Sequence, residues 1–570
     1  MNEELKRSGP RMWKGCAAIV VWALLTGTAS LLGVFAIFPP SPSFAVAVWA
    51  DFWTYVPIIL LLFACAVFFP LESLLRRLLI WRNVRRAVIG LAVLGTLVAV
   101  FYTVENWRGG RAWEQCRREL EARGEKLDWE AFIPQPLPDD QNFFKAPGMT
   151  AWFGSRAWDA DRYVRKFTGP PGICWPSSLD EIRKLPESMP VSVTNSRLVR
   201  TSLPFPASRE ELRAAFAEYE PEYRMLVVAC LRPKSHREDN VGLPPSFASA
   251  GLVASSLSTH ARLNLSDGQP EVAVQDLRMM RRVGEVMDDS HTVVGTMHMI
   301  SASVLGLYAR TARDGLEAGL WKEPQLAIIQ QEMRTVNSLA SFAVSLRAER
   351  ASAIRFLERP STEVAKILGM RTAHGLQFNP PTLINWRAAL ARLGMFCPRG
   401  WIQQNQASLS RSYQDLLDSF DAGGRRIQAG RLDALDDRRK AMSGRVTPYY
   451  FLAAVTTPNF IQALRALAWN QTQLDQLQVA CAMERYRLTH GNYPEKLDAL
   501  IPAYLDQTPK DLFADQPLQY RRDANGAYLL WSVGWNEKDD GGVATLDESG
   551  KPLYAAREGD WVWSFRALPP

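Results

Sequence analysis

Three stretches without a charged side chain, residues 15–38, 52–71 and 87–104, constrain this chain most. Each approaches the ~20 apolar residues that cross a hydrocarbon core of about 30 Å, so each is expected to be a transmembrane helix. The first is too long for the apolar region of a cleaved signal peptide, roughly 7–15 residues. Ala45-Val46-Ala47 nevertheless has the small-residue form of a cleavage site. The third run follows Arg76, Arg77, Arg82, Arg85 and Arg86, and that basic cluster favours spanning over burial in a soluble core.

The same charges predict orientation. The N-terminal tail is basic, residues 39–51 hold no Lys or Arg, and residues 76–86 hold five Arg. This alternation places the N-terminus in the cytoplasm and the end of the third helix outside. Arg108, Arg111, Arg117 and Arg118 pull weakly the other way, but long translocated regions respond little to local charge. The lipid bilayer is therefore the first expected partner.

Nucleic acid is excluded as a partner by where the charge sits. Residues 1–86 carry nine Lys/Arg against four Asp/Glu, a net of +5 out of the chain's +7. The basic excess is a topology signal, and the remaining +2 offers no basic patch of the kind nucleic acids need.

The reading divides the chain into four parts: a membrane anchor at 1–107, a proline-rich connector at 108–243, a helical domain at 244–450 and a small head at 451–570. In the connector, residues 109–124 read as a short charged helix. Ile133-Pro-Gln-Pro-Leu-Pro-Asp-Asp-Gln-Asn-Phe143 denies backbone donors and favours extended chain. Ser208-Arg-Glu-Glu211 has the spacing of a capping box and opens a helix to about Leu231. Further on, Ala261, Leu265, Ala273, Leu277 and Met280 flank a tight turn at Ser266-Asp267-Gly268. This resembles a tetratricopeptide-type hairpin without the strict 34-residue period; an irregular bundle fits as well. Long helices are expected over 292–320 and 322–358, and a charged helix or loop over 425–439.

In the head, Thr457-Pro458 starts and Gly491 stops a helix of ~50 Å. Its apolar stripe includes Phe460, Leu464, Leu467, Leu474, Leu477 and Cys481. Asn470, Gln471, Asp475 and Gln476 make it too polar to span a membrane. Residues 516–520 and 527–534 alternate like two strands joined at Asp523-Ala-Asn-Gly526. An acidic loop, Asn536-Glu-Lys-Asp-Asp-Gly-Gly542, follows, and Gly559-Asp-Trp561 lies near the end.

This order resembles the globular head of the major pseudopilin of type II secretion systems. The matching features are the long helix ending at Gly491-Asn-Tyr-Pro494, Pro509-Lys-Asp511, Ser532-Val-Gly534 and Asp560-Trp561. The resemblance implies a spine helix on a small antiparallel sheet, and a calcium ion held by the residues in the matching positions, Asn536, Asp539, Asp540 and Asp560. Several oxygens in a glycine-bearing loop suit such a hard cation, although a solvated Asp/Gly turn has the same composition. Leu512 and Ala514 depart from the family pattern, and its membrane helix with a prepilin-peptidase site is missing, so pilus assembly by that route is not implied. With Trp113–Glu121, the arrangement is also similar to a group of bacterial envelope proteins that pair a membrane anchor with this head. That likeness carries no known activity; with the three apolar runs and the Lys/Arg bias, the expectation is a multi-pass bacterial inner (cytoplasmic) membrane protein with a periplasmic soluble region.

No sequence motif marks catalysis. Gly-x-Ser-x-Gly, His-Glu-x-x-His, Walker and Gly-x-Gly-x-x-Gly patterns are missing, as is Ser-x-x-Lys. His291 and His298 stand seven apart, too far for a helical metal pair. The five cysteines beyond the spans, Cys116, Cys174, Cys230, Cys397 and Cys481, include no Cys-x-x-Cys; one or two disulfides stay open. Spans without ionisable groups argue against a transport path. The expected fold is α+β: three transmembrane helices, a mainly helical middle and a small α+β head. The expected role is non-enzymatic, with the helical region or head meeting a protein partner. The alternative is an extracytoplasmic enzyme whose site is assembled from distant residues.

Overall fold

The computed structural model describes residues 81–133, 135–153, 176–188, 208–236, 247–289, 295–359, 397–421, 423, 425–443, 447–456, 460–523, 526–548, 550 and 552–565. The first two expected spans, Cys174 and His291 lie outside the described residues. The chain divides into two compact units, Met1–Phe101 and Tyr102–Pro570.

The described part of the first unit is the leading part of helix α1, Trp81–Ala122. Among the described residues, this is the one helix long and apolar enough to cross a membrane. Leu91 and Leu97 are 68% and 61% exposed, so this stretch does not pack into a protein core. The sequence reading ended this helix near 104 and began another at 109. The two are one helix, because neither Gly109 nor Gly110 leaves helical geometry. It stops at Gly124, whose positive φ of 81° lets the amides of Gly124 and Glu125 return to the carbonyls of Glu121 and Leu120.

The second unit is mostly helical. After α1 come the single turn α2 (Met149–Trp152), α3 (Leu179–Lys184), α4 (Arg209–Glu218) and α5 (Glu220–Cys230). Ser208 caps α4 by accepting from Glu211 N at 3.2 Å. The helix expected over 208–231 is thus two, broken at Tyr219. The hairpin follows as α6 (Phe247–Ser266) and α7 (Pro270–Asp289). Gly268, at φ 73°, turns the chain, and Ala261, Leu265, Ala273, Leu277 and Met280 are all buried against it. Arg213 clasps the turn with two hydrogen bonds to Asp267, of 2.8 and 2.7 Å.

Next are α8 (Gly295–Glu317), α9 (Glu323–Arg334) and α10 (Ser338–Glu358). The helix expected over 322–358 is broken at residues 335–337, where Asn337 caps α10 by accepting from Ala340 N. Then come α11 (Arg399–Leu417), the two-residue strands β1 (Phe420–Asp421) and β2 (Arg426–Ile427), α12 (Ala429–Ser443) and α13 (Phe451–Thr456).

The long helix of the head is α14, Phe460–His490, stopped by Gly491 at φ 84°. It is followed by a three-stranded antiparallel sheet in the order β3 (Gln519–Arg522), β4 (Tyr528–Ser532), β5 (Trp561–Phe565). Gln519 pairs with Trp531 and Leu530 with Trp563. The expected hairpin is present; its third strand comes from the far side of the acidic loop.

α14 lies at the centre of the unit. It packs on α8, α9 and α10 as well as on β4 and β5. One hydrophobic cluster joins Phe143 and Trp152, the α6–α9 helices, Leu474 and Leu477 of α14, and Leu530 and Trp563 of the sheet. Each such leucine contributes about 1.5–3 kcal/mol by leaving water. Several polar residues of α14 turn inward too and are bonded there. Gln471 Oε1 accepts from Ser338 N at 2.9 Å, Gln476 Nε2 donates to the Trp561 carbonyl at 2.7 Å, and Asp475 pairs with Arg425 at 2.5 Å.

A second cluster holds Cys116 and Leu120 of α1 against α10 and α11. Beside it, Gly109 meets Gly400 so closely that a Cβ on Gly109 would sit 2.0 Å from the Gly400 carbonyl oxygen. Glu125, just after α1, receives Arg347 and the fully buried Arg350, whose other arm donates to Gln414. Burial opposes ionisation of Glu125, but these two arginines outweigh it and hold its carboxyl below the ordinary range.

Candidate binding groove

Helices α5, α7 and α9 enclose a groove of about 760 Å³. That volume accommodates several side chains of a ligand. One wall is apolar: Val227 and Leu231, the latter 78% exposed at the end of α5. The opposite wall is charged and comes from successive turns of α7: Arg278, Arg281, Arg282 and Glu285. These fall on one face because positions three and four apart adjoin on a helix.

The floor is ordered by a buried carboxylate. Glu332 of α9 accepts from Arg278 Nε at 3.0 Å and from the Tyr308 hydroxyl at 3.1 Å. Burial pushes its carboxyl above the ordinary range despite the nearby arginines. Arg281 is held by Glu285 at 2.8 Å and by the Thr335 hydroxyl at 3.0 Å. Cys230 lies in the apolar wall, its thiol pushed up to about 12 by burial, so it is a poor nucleophile.

Behind the groove, Tyr223 connects the surface to a buried ionic pair. Its hydroxyl donates to Asp276 Oδ1 at 2.8 Å, and Asp276 Oδ2 meets His260 Nδ1 at 2.9 Å. Burial raises the Asp276 carboxyl. Burial works against a charged His260, but the charge and hydrogen bond of Asp276 outweigh it and raise the ring's pKa. The imidazole packs against the rings of Phe216 and Tyr223, 4.7 and 5.2 Å away between centroids. A carboxylate orienting an imidazole supplies two of the three members of a nucleophilic triad. Among the described residues, no hydroxyl or thiol is hydrogen-bonded to His260.

The loop carrying Asn536, Asp539, Asp540 and Asp560 forms one connected cluster. Asp560 is buried and accepts from the amides of Asp540 at 3.1 Å and Gly542 at 2.6 Å. Asp539 accepts from the Trp531 indole and from Gly541 N, each at 3.0 Å. Asn536 donates to Asp540 Oδ2 at 2.9 Å and accepts from Lys538 N. The carboxylates thus face the loop's own donors and fasten β5 to it. Among the described residues, no group of three or more His, Cys, Asp or Glu is placed to hold a metal ion.

Other sequence features find structural roles. Asp511 is buried and accepts from Ser532 Oγ, Val533 N and Phe513 N, which ties Pro509-Lys-Asp511 to Ser532-Val-Gly534. Glu537 reaches across to α12 and accepts from Ala429 N at 2.7 Å, at that helix's start. Cys116, Cys230, Cys397 and Cys481 are unpaired thiols. His298 lies 3.8 Å from Asp288.

Sequence reasoning missed the groove. Tyr223 and Asp276 are 53 positions apart, and Arg278 and Glu332 are 54 apart. No local motif marks such pairs; only helix periodicity on α7 hints that its arginines share a face. No protein family, curated protein or solved structure matches the chain.

Proposed function

We propose that this chain is a non-enzymatic, membrane-anchored envelope protein that binds another polypeptide through the groove between α5, α7 and α9. The three apolar runs anchor it, with the N-terminus in the cytoplasm and the soluble region on the periplasmic side of a bacterial inner membrane. The pseudopilin-like head supports the groove from behind, because α14 packs on both α8 and α9. The observation that carries the reading is the pairing of an apolar wall, Val227 and Leu231, with an arginine–glutamate wall held in place by Glu332. Such a surface suits a peptide segment with apolar side chains on one side and mixed charges on the other.

An enzyme is the second reading, favoured by the Asp276–His260 pair. It is the weaker one because Asp276 also holds Tyr223 and the imidazole is packed between aromatic rings.

Photo-crosslinking in cells tests the binding role. A benzoylphenylalanine at Leu231 is expected to give one discrete protein adduct, which Arg281→Glu abolishes. A probe at Glu495, 88% exposed in the head, is expected to give none. Lack of an adduct at Leu231, or one indifferent to Arg281→Glu, overturns the proposal.

A further inference from the structure

We infer that the second unit carries a lipid-headgroup contact of its own: an aromatic and arginine collar around residues 102–113 of α1 that rests on an anionic bilayer surface. This rests on reading α1 as membrane-spanning.

The collar is built from three segments that meet beside the α1 contact with Gly400. Glu105 is buried and accepts from the Trp401 indole at 2.8 Å, while Asn106 Oδ1 accepts from Gly400 N at 2.9 Å. The start of α11 is therefore locked onto α1 immediately after the apolar run. Trp401 meets Tyr449 edge to face, with centroids 6.2 Å apart, which brings in the segment before α13. The Arg108 guanidinium lies 5.6 Å over the Tyr449 ring, and Arg111 lies 5.6 Å over Trp107.

Position, composition and charge agree on the partner. At 1.5 Å per residue, Glu105 to Arg111 lie within about 10 Å of the end of the apolar run at Val104. Trp107 is 63% exposed, although a large aromatic side chain gains most from burial. Tryptophan and tyrosine favour the headgroup layer, where the ring finds an apolar body of lipid and the indole N–H or hydroxyl stays wet. Arg108, Arg111 and Arg399 are all exposed, while the acid among them, Glu105, is buried and takes one arm of Arg108 at 2.8 Å, so the exposed charge of the group is net positive. Tyr450, Phe451 and Leu452 follow Tyr449 without a charged residue between them. An exposed basic and aromatic surface this close to a span complements anionic phospholipid headgroups.

The test uses the full chain in vesicles of phosphatidylcholine, alone or mixed with phosphatidylglycerol. Benzoylphenylalanine is placed singly at Leu97, Arg399, Tyr449 and Glu495. Lipid adducts at Leu97, Arg399 and Tyr449 but not at Glu495 are expected. The Tyr449 yield should rise several-fold with phosphatidylglycerol and fall several-fold in Arg108→Gln/Arg111→Gln. Adducts at Leu97 without any at Arg399 or Tyr449 overturn the collar and leave the anchor standing. No adduct at Leu97 overturns the anchor and the collar with it. A Tyr449 yield indifferent both to phosphatidylglycerol and to the arginine substitutions overturns the anionic-headgroup assignment.

Discussion

At the scale of single residues, buried charge in this protein serves architecture. Glu125, Asp276, Glu332, Asp475, Asp511 and Asp560 each hold together segments far apart in sequence. His260 shows how such a group responds to pH. Its folded pKa is raised, so the stability it adds through Asp276 is fully present below the ordinary imidazole value near 6.5. It is lost as pH rises through the raised value. His260→Gln should therefore cost about 1.5–3 kcal/mol at about pH 5.5, where the charged hydrogen bond is intact, and less at about pH 9. Thermal melting of both proteins in detergent checks this; an equal difference at both pH values would contradict it. Asp276, Tyr223 and Glu220 are the titratable neighbours that set the environment. None of this was legible in the sequence, where His260 is one of six scattered histidines.

Elements were more legible than their connections. Caps and stops told true: Ser208, Gly268 and Gly491 sit where the backbone needs a side-chain acceptor or a positive φ. The continuous α1 did not read as one helix, because the charged residues after Val104 look like a boundary when hydropathy alone is followed. What the charges mark is a change of surroundings along one helix. The glycines of α1 and of α11, which it meets, have different jobs. A Cβ on Gly400 would lie 1.9 Å from the Glu105 carbonyl oxygen, whereas one on Gly90 would meet nothing within 4 Å. Gly400→Ala must push α11 off α1 and should cost about 1–3 kcal/mol. Gly90→Ala should be neutral or stabilise by up to about 1 kcal/mol. Denaturation midpoints of the two variants distinguish them; equal midpoints would remove the case for a helix contact at Gly400.

For the whole molecule, sequence reading recovered the character of the parts: an apolar helix, a helical middle and an antiparallel sheet behind a long helix. It set the head apart because the pseudopilin resemblance is confined to residues near the C-terminus. In space, α14 belongs as much to α8 and α9 as to its own sheet, and Gln471 and Gln476, which make it too polar to span a membrane, are bonded inside the core. The acidic loop is likewise closed by amides and an indole. Calcium and a chelator should therefore leave the melting temperature of the full chain within about 1 °C; a rise of several degrees with calcium would show a bound ion, since a ligand that binds only the folded state must stabilise it. The central position of α14 also governs how the protein is made. Helices α8 to α10 are complete by residue 358, yet the surface they bury against is not synthesised until residue 490. At roughly 5–20 residues per second, translation leaves their apolar faces waiting on the order of ten seconds. The last fifth of the sequence thus works as the closing piece against which the earlier helices pack.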